Sequence, residues 1–210
     1  MAQVHKSAEE RRRDFIEAAV AVMRRKGMGQ TTSRDIAREA GVSTGLLHHY
    51  FDSADELLAT AFEEVVVADL DRVRATLATI EDPAVRLDLL IEVFAPEGDD
   101  WQYQVWLDVW SAAARHPALQ AVSQRVNAQW QQLMADLFRD GVATGAFRCP
   151  DPHASAWRLL ALLDAMALQA VAQQVDIPRA TAHDWVRSAA RAEAGLPPHA
   201  PPPTRIAAPD

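Results

Sequence analysis

Cysteine and long apolar runs are scarce in this 210-residue sequence, and each shortage excludes a class of protein. The single cysteine, Cys149, permits neither an internal disulfide framework nor a cysteine-based zinc cluster, and it fits a reducing compartment. The longest apolar stretch, 159–172, is shorter than a bilayer requires and contains Asp164. Residues 1–15 have no apolar signal core, which predicts a protein that is not secreted. We therefore expect a cytoplasmic protein with no membrane partner.

Motifs for metal, phosphate or dinucleotide chemistry are also missing, so the sequence predicts no metal, no cofactor and no catalytic residue. One hydrolase-like pattern is present, because residues 41–45 read G-x-S-x-G around Ser43. A nucleophile elbow needs a strand before its serine, whereas the preceding "TTSRDIAREA" predicts a capped helix. His48 and His49 belong to the same short segment as Ser43, and the sequence cannot place them in a triad. The pattern therefore does not indicate an enzyme.

Helical spacing of apolar residues runs through nearly the whole chain, and no strand pattern is found. This predicts an all-α fold of about nine helices. Glycine and proline between the periodic segments, and capping residues at their starts, give the boundaries. The predicted helices cover 8–26, 33–40, 44–50, 54–80, a fifth from 83, 101–115, 117–143, 152–174 and 178–195, with a break at 96–100. The six prolines within 196–210 predict a disordered tail.

The residues around 32–50 predict a helix-turn-helix. Thr32 and Asp35 form a capping box for the second helix, and Gly41 suits the turn that ends it. Apolar residues face inward from both short helices at Ile36, Ala40, Val42, Leu47 and Tyr50. That leaves Thr44, Gly45, His48 and His49 outward. A helix start that presents small polar residues can enter the major groove of DNA.

Charge is distributed unevenly along the chain. Residues 1–51 hold nine Lys/Arg and six Asp/Glu, or +3, and residues 52–210 hold 12 and 23, or −11, which sum to the net −8. An acidic surface that keeps the protein dispersed explains this balance. A basic face directed at phosphate, with an acidic body turned away from it, explains it equally well.

The helix-turn-helix segment resembles the TetR family of transcriptional regulators. The resemblance rests on an ordered set of residues, namely Thr31-Thr32, Asp35-Ile36-Ala37, Ala40-Gly41-Val42-Ser43, Gly45, Tyr50-Phe51 and Glu56-Leu57-Leu58. The later segments "WLDVWSAAARHPALQAV", "GAF" and "LLALLDAMALQ" are similar to the betaine-regulator (BetI-like) branch. The resemblance implies an all-α homodimer that binds a palindromic operator and a small effector. It implies a DNA-binding domain at 1–52 and a ligand-binding and dimerisation domain at 53–195, before the tail at 196–210.

The family pattern assigns the candidate DNA contacts, with two departures. Ala54 stands where the family often has a lysine, and His48 replaces a common tyrosine. We expect Thr44, His48 and His49 to approach bases. Phosphate contacts and the helix start that supports them are expected at Thr32, Ser33, Arg34, Tyr50, Ser43 and Gly45. Lys6 and Arg11–Arg13 either form an N-terminal arm on DNA or are simply solvated.

Tryptophan is concentrated in the C-terminal domain, where Trp106 and Trp110 lie four residues apart on one helix face. Such a pair can hold a quaternary ammonium by cation–π attraction, with Asp108 or Asp164 as counter-charge. Ordinary core packing explains any single tryptophan more simply, and Asp108 faces away from the pair on an ideal helix. Asp164 can instead cap another helix or hydrogen-bond across a dimer. The candidate effector residues are Phe62, Trp106, Trp110, Phe138, Trp157 and Asp164.

Helices eight and nine are expected, on the family pattern, to form a four-helix dimer interface. Small residues permit close approach at Ala161, Ala165, Ala167 and Ala170, while buried area comes from Trp157, Leu160, Leu168 and Val171, unless some of these face their own domain's core. The sequence therefore predicts a dimeric, ligand-responsive transcriptional repressor. The alternatives are a helical protein-interaction adaptor and an enzyme without a recognisable motif.

Overall fold

The computed structural model describes residues 6–94, 101–173 and 177–198, and these residues form helices and turns without a strand. The all-α prediction is confirmed. Within these ranges the nine α-helices are α1 Ala8–Lys26, α2 Ser33–Glu39, α3 Thr44–Leu47, α4 Ala54–Ala78, α5 Pro83–Val93, α6 Trp101–Ala113, α7 Pro117–Ala143, α8 Pro152–Val171 and α9 Arg179–Glu193. The break predicted at 96–100 and most of the predicted tail, from residue 199, lie outside the described residues.

Local sequence explains where most helices begin. Ser7 and Glu10 form a full capping box at α1, and Thr32 and Asp35 form another at α2. Asp82 caps α5 through the amide of Ala84, and a proline follows it in the first turn. These side chains satisfy amide groups that a helix start otherwise leaves unpaired.

Several predicted helix ends are wrong by a few residues. The third helix ends at Leu47 rather than near residue 50, because the amides of His49 and Tyr50 bond three residues back, at 3.1 and 3.0 Å. These tighter bonds stop the α-helix, and the ring of Phe51 is then buried. Helices α4, α6 and α8 end at residues 78, 113 and 171, short of the predicted 80, 115 and 174.

Contacts divide the chain into two compact units, and each has its own core. The first unit comprises the described residues within Met1–Arg72 and Gly98–Gln129, and Phe15, Ile36, Leu47, Phe51 and Phe62 are among its fully buried side chains. In it, α1 packs on α2, α2 packs on α3, and α6 lies against α1. On α4 the buried stripe passes through Val66, while Val65 is half-buried.

The second unit comprises the described residues within Val73–Glu97 and Trp130–Asp210, where α9 packs on both α5 and α8. A polar network joins α8 to α9. Ser155 donates to Glu193 at 2.6 Å, Arg158 pairs with Glu193 at 2.5 Å, and the buried thiol of Cys149 lies 3.2 Å from the Ser155 hydroxyl. Arg158 is the main reason that the pKa of Glu193 is lowered.

Helix α8 is the one helix within the described ranges whose length and mean hydropathy, 1.3, meet the minimum for a membrane span. Helices that pack apolar surface against other helices meet the same minimum. Leu159, Leu160 and Leu163 face the core of the unit. The burial of Leu160 removes it from the residues expected at a dimer interface.

Candidate nucleic-acid interface and effector region

Aromatic side chains pack between α1 and the end of the helix-turn-helix. The ring of Phe15 on α1 lies 5.5 Å from Tyr50 and 6.3 Å from Phe51, and the Arg12 guanidinium sits 4.5 Å above the Phe51 ring. Leu47 is fully buried beneath α3. Leu47 packs the inner face of α3 into the core, so the other face of the helix is presented to solvent.

The predicted DNA-contacting residues lie together on that outer face. Gly45, His48 and His49 are exposed, and Thr44 is half-buried at the first turn. The Ser43 hydroxyl accepts from the amide of Leu46 at 3.4 Å, which caps α3. Gly41, at φ +69°, turns the chain between α2 and α3.

The start of α2 carries the candidate phosphate contacts. Thr32 and Arg34 are exposed and Ser33 is half-buried. Tyr50 is also half-buried, and its ring contacts that of Phe15. Asp35 bonds to Lys26 on α1 and to the Thr32 hydroxyl, and these contacts hold the pKa of the Asp35 carboxyl well below its usual value. The acid therefore stays charged and fixes α2 against α1. The roles of the named residues on DNA remain predictions.

Three of the predicted effector residues come together in the first unit. The buried ring of Phe62 on α4 meets the Trp106 ring edge-on at 4.9 Å, and Trp106 lies 5.7 Å from Trp110. A cavity of about 20 Å³ adjoins this cluster. It is lined by Val65, Val66, Asp69, Gln102, Val105 and Trp106.

The other three predicted effector residues belong to the second unit and have their own neighbours. Phe138 is fully buried 6.1 Å from Phe147, and Trp157 is 42% exposed beside His153. Asp164 has no hydrogen-bond or ion-pair partner among the described residues, and burial raises its pKa to about 6. Their role in effector binding stays a prediction.

Two carboxylates differ from the sequence interpretation. Asp108 is not available as a counter-charge to the tryptophans, because its oxygens accept from the amides of Met28 and Gly29 and from the Gln104 side chain, at 2.8, 3.3 and 3.2 Å. Asp69 lines the cavity beside Trp106 and was not singled out by sequence. Asp69 lies seven residues after Phe62 on the same face of α4, and this spacing is the sequence signal that could have identified it. Among the described residues, no group of three or more His, Cys, Asp or Glu side chains is placed to hold a metal ion.

Comparison with known proteins agrees with this architecture. A family model described as bacterial regulatory proteins of the tetR family matches residues 15–61, and one described as the C-terminal domain of BetI-type transcriptional repressors matches residues 83–195. The HTH-type transcriptional regulator BetI 1 of Chromohalobacter salexigens is 32% identical over 189 residues, covering 84% of this chain and 88% of that protein. The regulator PksA of Bacillus subtilis is 32% identical over 192 residues, or 80% of this chain and 82% of that one.

A solved structure is similar along most of its length. It is a transcriptional regulator from Saccharomonospora viridis in complex with choline, with a TM-score of 0.76 and 29% identity, covering 85% of this chain and 94% of that one. The two family models follow one another in the same order as the helix-turn-helix and the helices after α4. The chain belongs to the TetR family and is a ligand-responsive transcriptional regulator of the BetI repressor type.

Proposed function

We propose that this regulator binds a palindromic operator as a homodimer and leaves it when a small organic cation occupies the region beside Trp106. The DNA-binding domain is 1–52 and the effector and dimerisation domain is 53–195, and the protein acts in the cytoplasm. The observation that carries the proposal is the outer face of α3 and its C-cap, where Gly45 and His48 are exposed and Thr44 is half-buried, above a buried Leu47. A polar helix start of this kind fits the major groove.

Operator binding depends on Thr44 and His48 in this proposal. The double variant Thr44→Ala/His48→Ala removes two groups that approach base edges, and each lost base contact weakens specific binding by about 1–3 kcal/mol. The matched control Gln120→Ala/Gln124→Ala changes two exposed polar residues, also four apart, on α7. We expect the control to bind like the unaltered protein.

The assay is fluorescence anisotropy with a duplex that the protein selects from a random-sequence library, repeated over a salt series. Binding through phosphates gives a steep negative slope of log K against log salt. Equal affinity of the double variant and the control would remove these residues from the interface. An absence of any salt-dependent DNA binding would favour the adaptor or enzyme alternative instead.

The effector region supports a cationic ligand. Tryptophan is the strongest aromatic partner of an organic cation, and Trp106 and Asp69 line the same cavity. At about 20 Å³ this cavity holds about one water molecule, so α4 and α6 must separate there to admit a cation of choline's size. Asp69 ion-pairs with Arg72, whose side chain is 61% exposed, so exchange of that partner for a ligand costs little. The Saccharomonospora viridis relative, solved with choline, supports the same ligand class.

Thermal shift measurements test the ligand class. Choline is compared with 3,3-dimethylbutan-1-ol, a neutral molecule of the same shape. Selective binding to the folded protein raises Tm. At a free ligand concentration about a hundred times Kd, binding adds about 2.7 kcal/mol to the free energy of unfolding. We expect choline to raise Tm and Trp106→Leu to abolish the shift. A larger shift with the neutral alcohol would contradict the cationic effector.

We propose that the dimer interface lies on α8 and α9. On α8 the exposed side chains Trp157, Ala161, Ala165 and Leu168 follow one face at helical spacing. On α9, Trp185, Ser188 and Ala192 do the same, and Trp185 is 52% exposed. A large exposed apolar patch is typical of a protein–protein interface. Because α8 and α9 pack on each other, two copies of the pair give the four-helix interface of the family pattern.

A further inference from the structure

Asp108 on α6 reaches a turn that is 80 residues away in sequence. Its Oδ2 accepts from the amide of Met28 at 2.8 Å and from that of Gly29 at 3.3 Å. Met28–Gln30 is a short 3₁₀ turn after α1, and the residue before it, Gly27, has no side chain with which to cap it. Asp108 therefore supplies, from another helix, the cap that the local sequence lacks.

The close approach of Asp108 depends on glycine at position 27. Gly27 has φ +80°, and a Cβ built there would lie 3.0 Å from Asp108 Oδ2. Gln104, one turn earlier on α6, donates to the other carboxylate oxygen at 3.2 Å. The carboxylate is held from both sides, so its position follows the position of α6.

The turn that Asp108 caps leads directly into the DNA-binding segment. Thr31 donates its amide to Met28 at 3.0 Å and its hydroxyl to Gly27 at 2.8 Å, and Thr32 then caps α2. Any displacement of the turn is thus passed to the start of α2, where the candidate phosphate contacts lie.

The same helix carries the effector candidates on its opposite side. Trp106 and Trp110 each lie two residues from Asp108, about 200° around an α-helix. Trp106 packs edge-on against Phe62 of α4, and Val105 and Val109 of α6 are buried. A helix seated in this way moves as one piece. A shift of about 1 Å takes a hydrogen bond from good to poor geometry.

We propose that Asp108 is a positioning residue, which holds the turn after α1 and transmits the packing of Trp106 to the start of α2. This inference rests on the proposed function, since operator binding is its readout. Trp106 acts on the DNA-binding segment through Asp108, so the two side chains form one path rather than two independent supports.

A double-mutant cycle on DNA affinity tests the path without requiring an effector. The variants are Trp106→Leu, Asp108→Ala and their combination, measured with the duplex that the unaltered protein selects from a random library. We expect each single variant to bind about fivefold more weakly. We expect the combination to match the weaker single variant within about twofold, rather than reach the product of the two losses.

Two further variants separate positioning from a structural role. Asp108→Asn keeps an oxygen acceptor for the Met28 amide, and we expect it to restore affinity to within about twofold. Glu64→Gln removes a carboxylate from the exposed surface of α4, and its effect should multiply with that of Trp106→Leu. Circular dichroism and Tm confirm that every variant is folded.

The outcomes are distinct. Single variants whose losses multiply, or that bind like the unaltered protein, overturn the inference while leaving operator binding intact. An Asp108→Asn variant as weak as Asp108→Ala overturns its hydrogen-bond basis. If the unaltered protein selects no duplex, the proposed function fails and this inference fails with it.

Discussion

Asp164 gives the folded protein a pH dependence that a single substitution should remove. Its carboxylate lies on α8 without a partner among the described residues, and burial raises its pKa from 3.8 to about 6. Asp164→Asn keeps the size of the side chain and removes the charge. We therefore expect this variant to be more stable than the unaltered protein at neutral pH.

The magnitude follows from linkage. A shift from 3.8 to about 6 is about two pKa units, and each unit corresponds to about 1.4 kcal/mol, so the upper bound is about 3 kcal/mol. Asp164 is half-buried, and screening by water reduces the expected gain to about 1–2 kcal/mol. The sign is fixed, because the folded state binds the proton more tightly than the unfolded state.

The pH profile of the difference is the diagnostic result. Below the unfolded pKa of 3.8 the acid is neutral in both states, so Asp164 carries no penalty. As pH rises from 3.8 to about 6 the unfolded state ionises first, and the penalty grows. Above about 6 the penalty is constant. The stabilising effect of Asp164→Asn should follow the same course.

Urea denaturation at a fixed protomer concentration, over a pH series, measures this difference. Protomer concentration is held constant because dimer dissociation contributes to the unfolding free energy. The control is Asp151→Asn, which removes a charge at the exposed start of α8 but keeps a capping side chain, and it should lower stability at neutral pH by no more than about 1 kcal/mol. A difference for Asp164→Asn that is independent of pH, or a variant less stable at pH 7, would refute the reasoning.

Three further perturbations test other parts of the structure. Trp185→Glu places a charge on the proposed interface, and sedimentation should show monomers, whereas Gln124→Ala on α7 should remain dimeric. Gly27→Ala places a Cβ on a residue of positive φ, 3.0 Å from Asp108 Oδ2. Thermal unfolding should show that the free energy of unfolding falls by about 1–2 kcal/mol. Thr32→Ala removes the α2 capping box and should lower stability by about 1 kcal/mol, while an unchanged Tm would argue against it.

Features that depend on residues close together in the sequence were predictable. Thr32 and Asp35 cap a helix that lies within a residue of its predicted bounds, and Pro117 begins a helix that ends where the sequence predicted, at residue 143. Gly41 adopts the positive φ that its place in the turn requires. In each case the determining interaction spans four residues or fewer, so the sequence pattern contains it.

Features that depend on distant partners were not predictable. The amides that bond Asp108 lie on a turn 80 residues away, and helical spacing showed only that its side chain points away from Trp106. The burial of Leu160 depends on which face of α8 meets the core, and a helix apolar on several faces does not specify this. The early end of α3 coincides with the amides of His49 and Tyr50 bonding three residues back, and no breaker residue marks it in the sequence.

The polar network between α8 and α9 buries the single thiol of the chain, so the reactivity of that thiol reports on local opening of the network. The sequence has one thiol, Cys149, and it is buried against Ser155 where the end of α9 closes over α8. A thiol reagent can therefore modify the native protein only when that corner opens, and no second cysteine contributes to the signal. The labelling rate would record how often the α9 end lifts away, and would show whether operator or effector slows that opening.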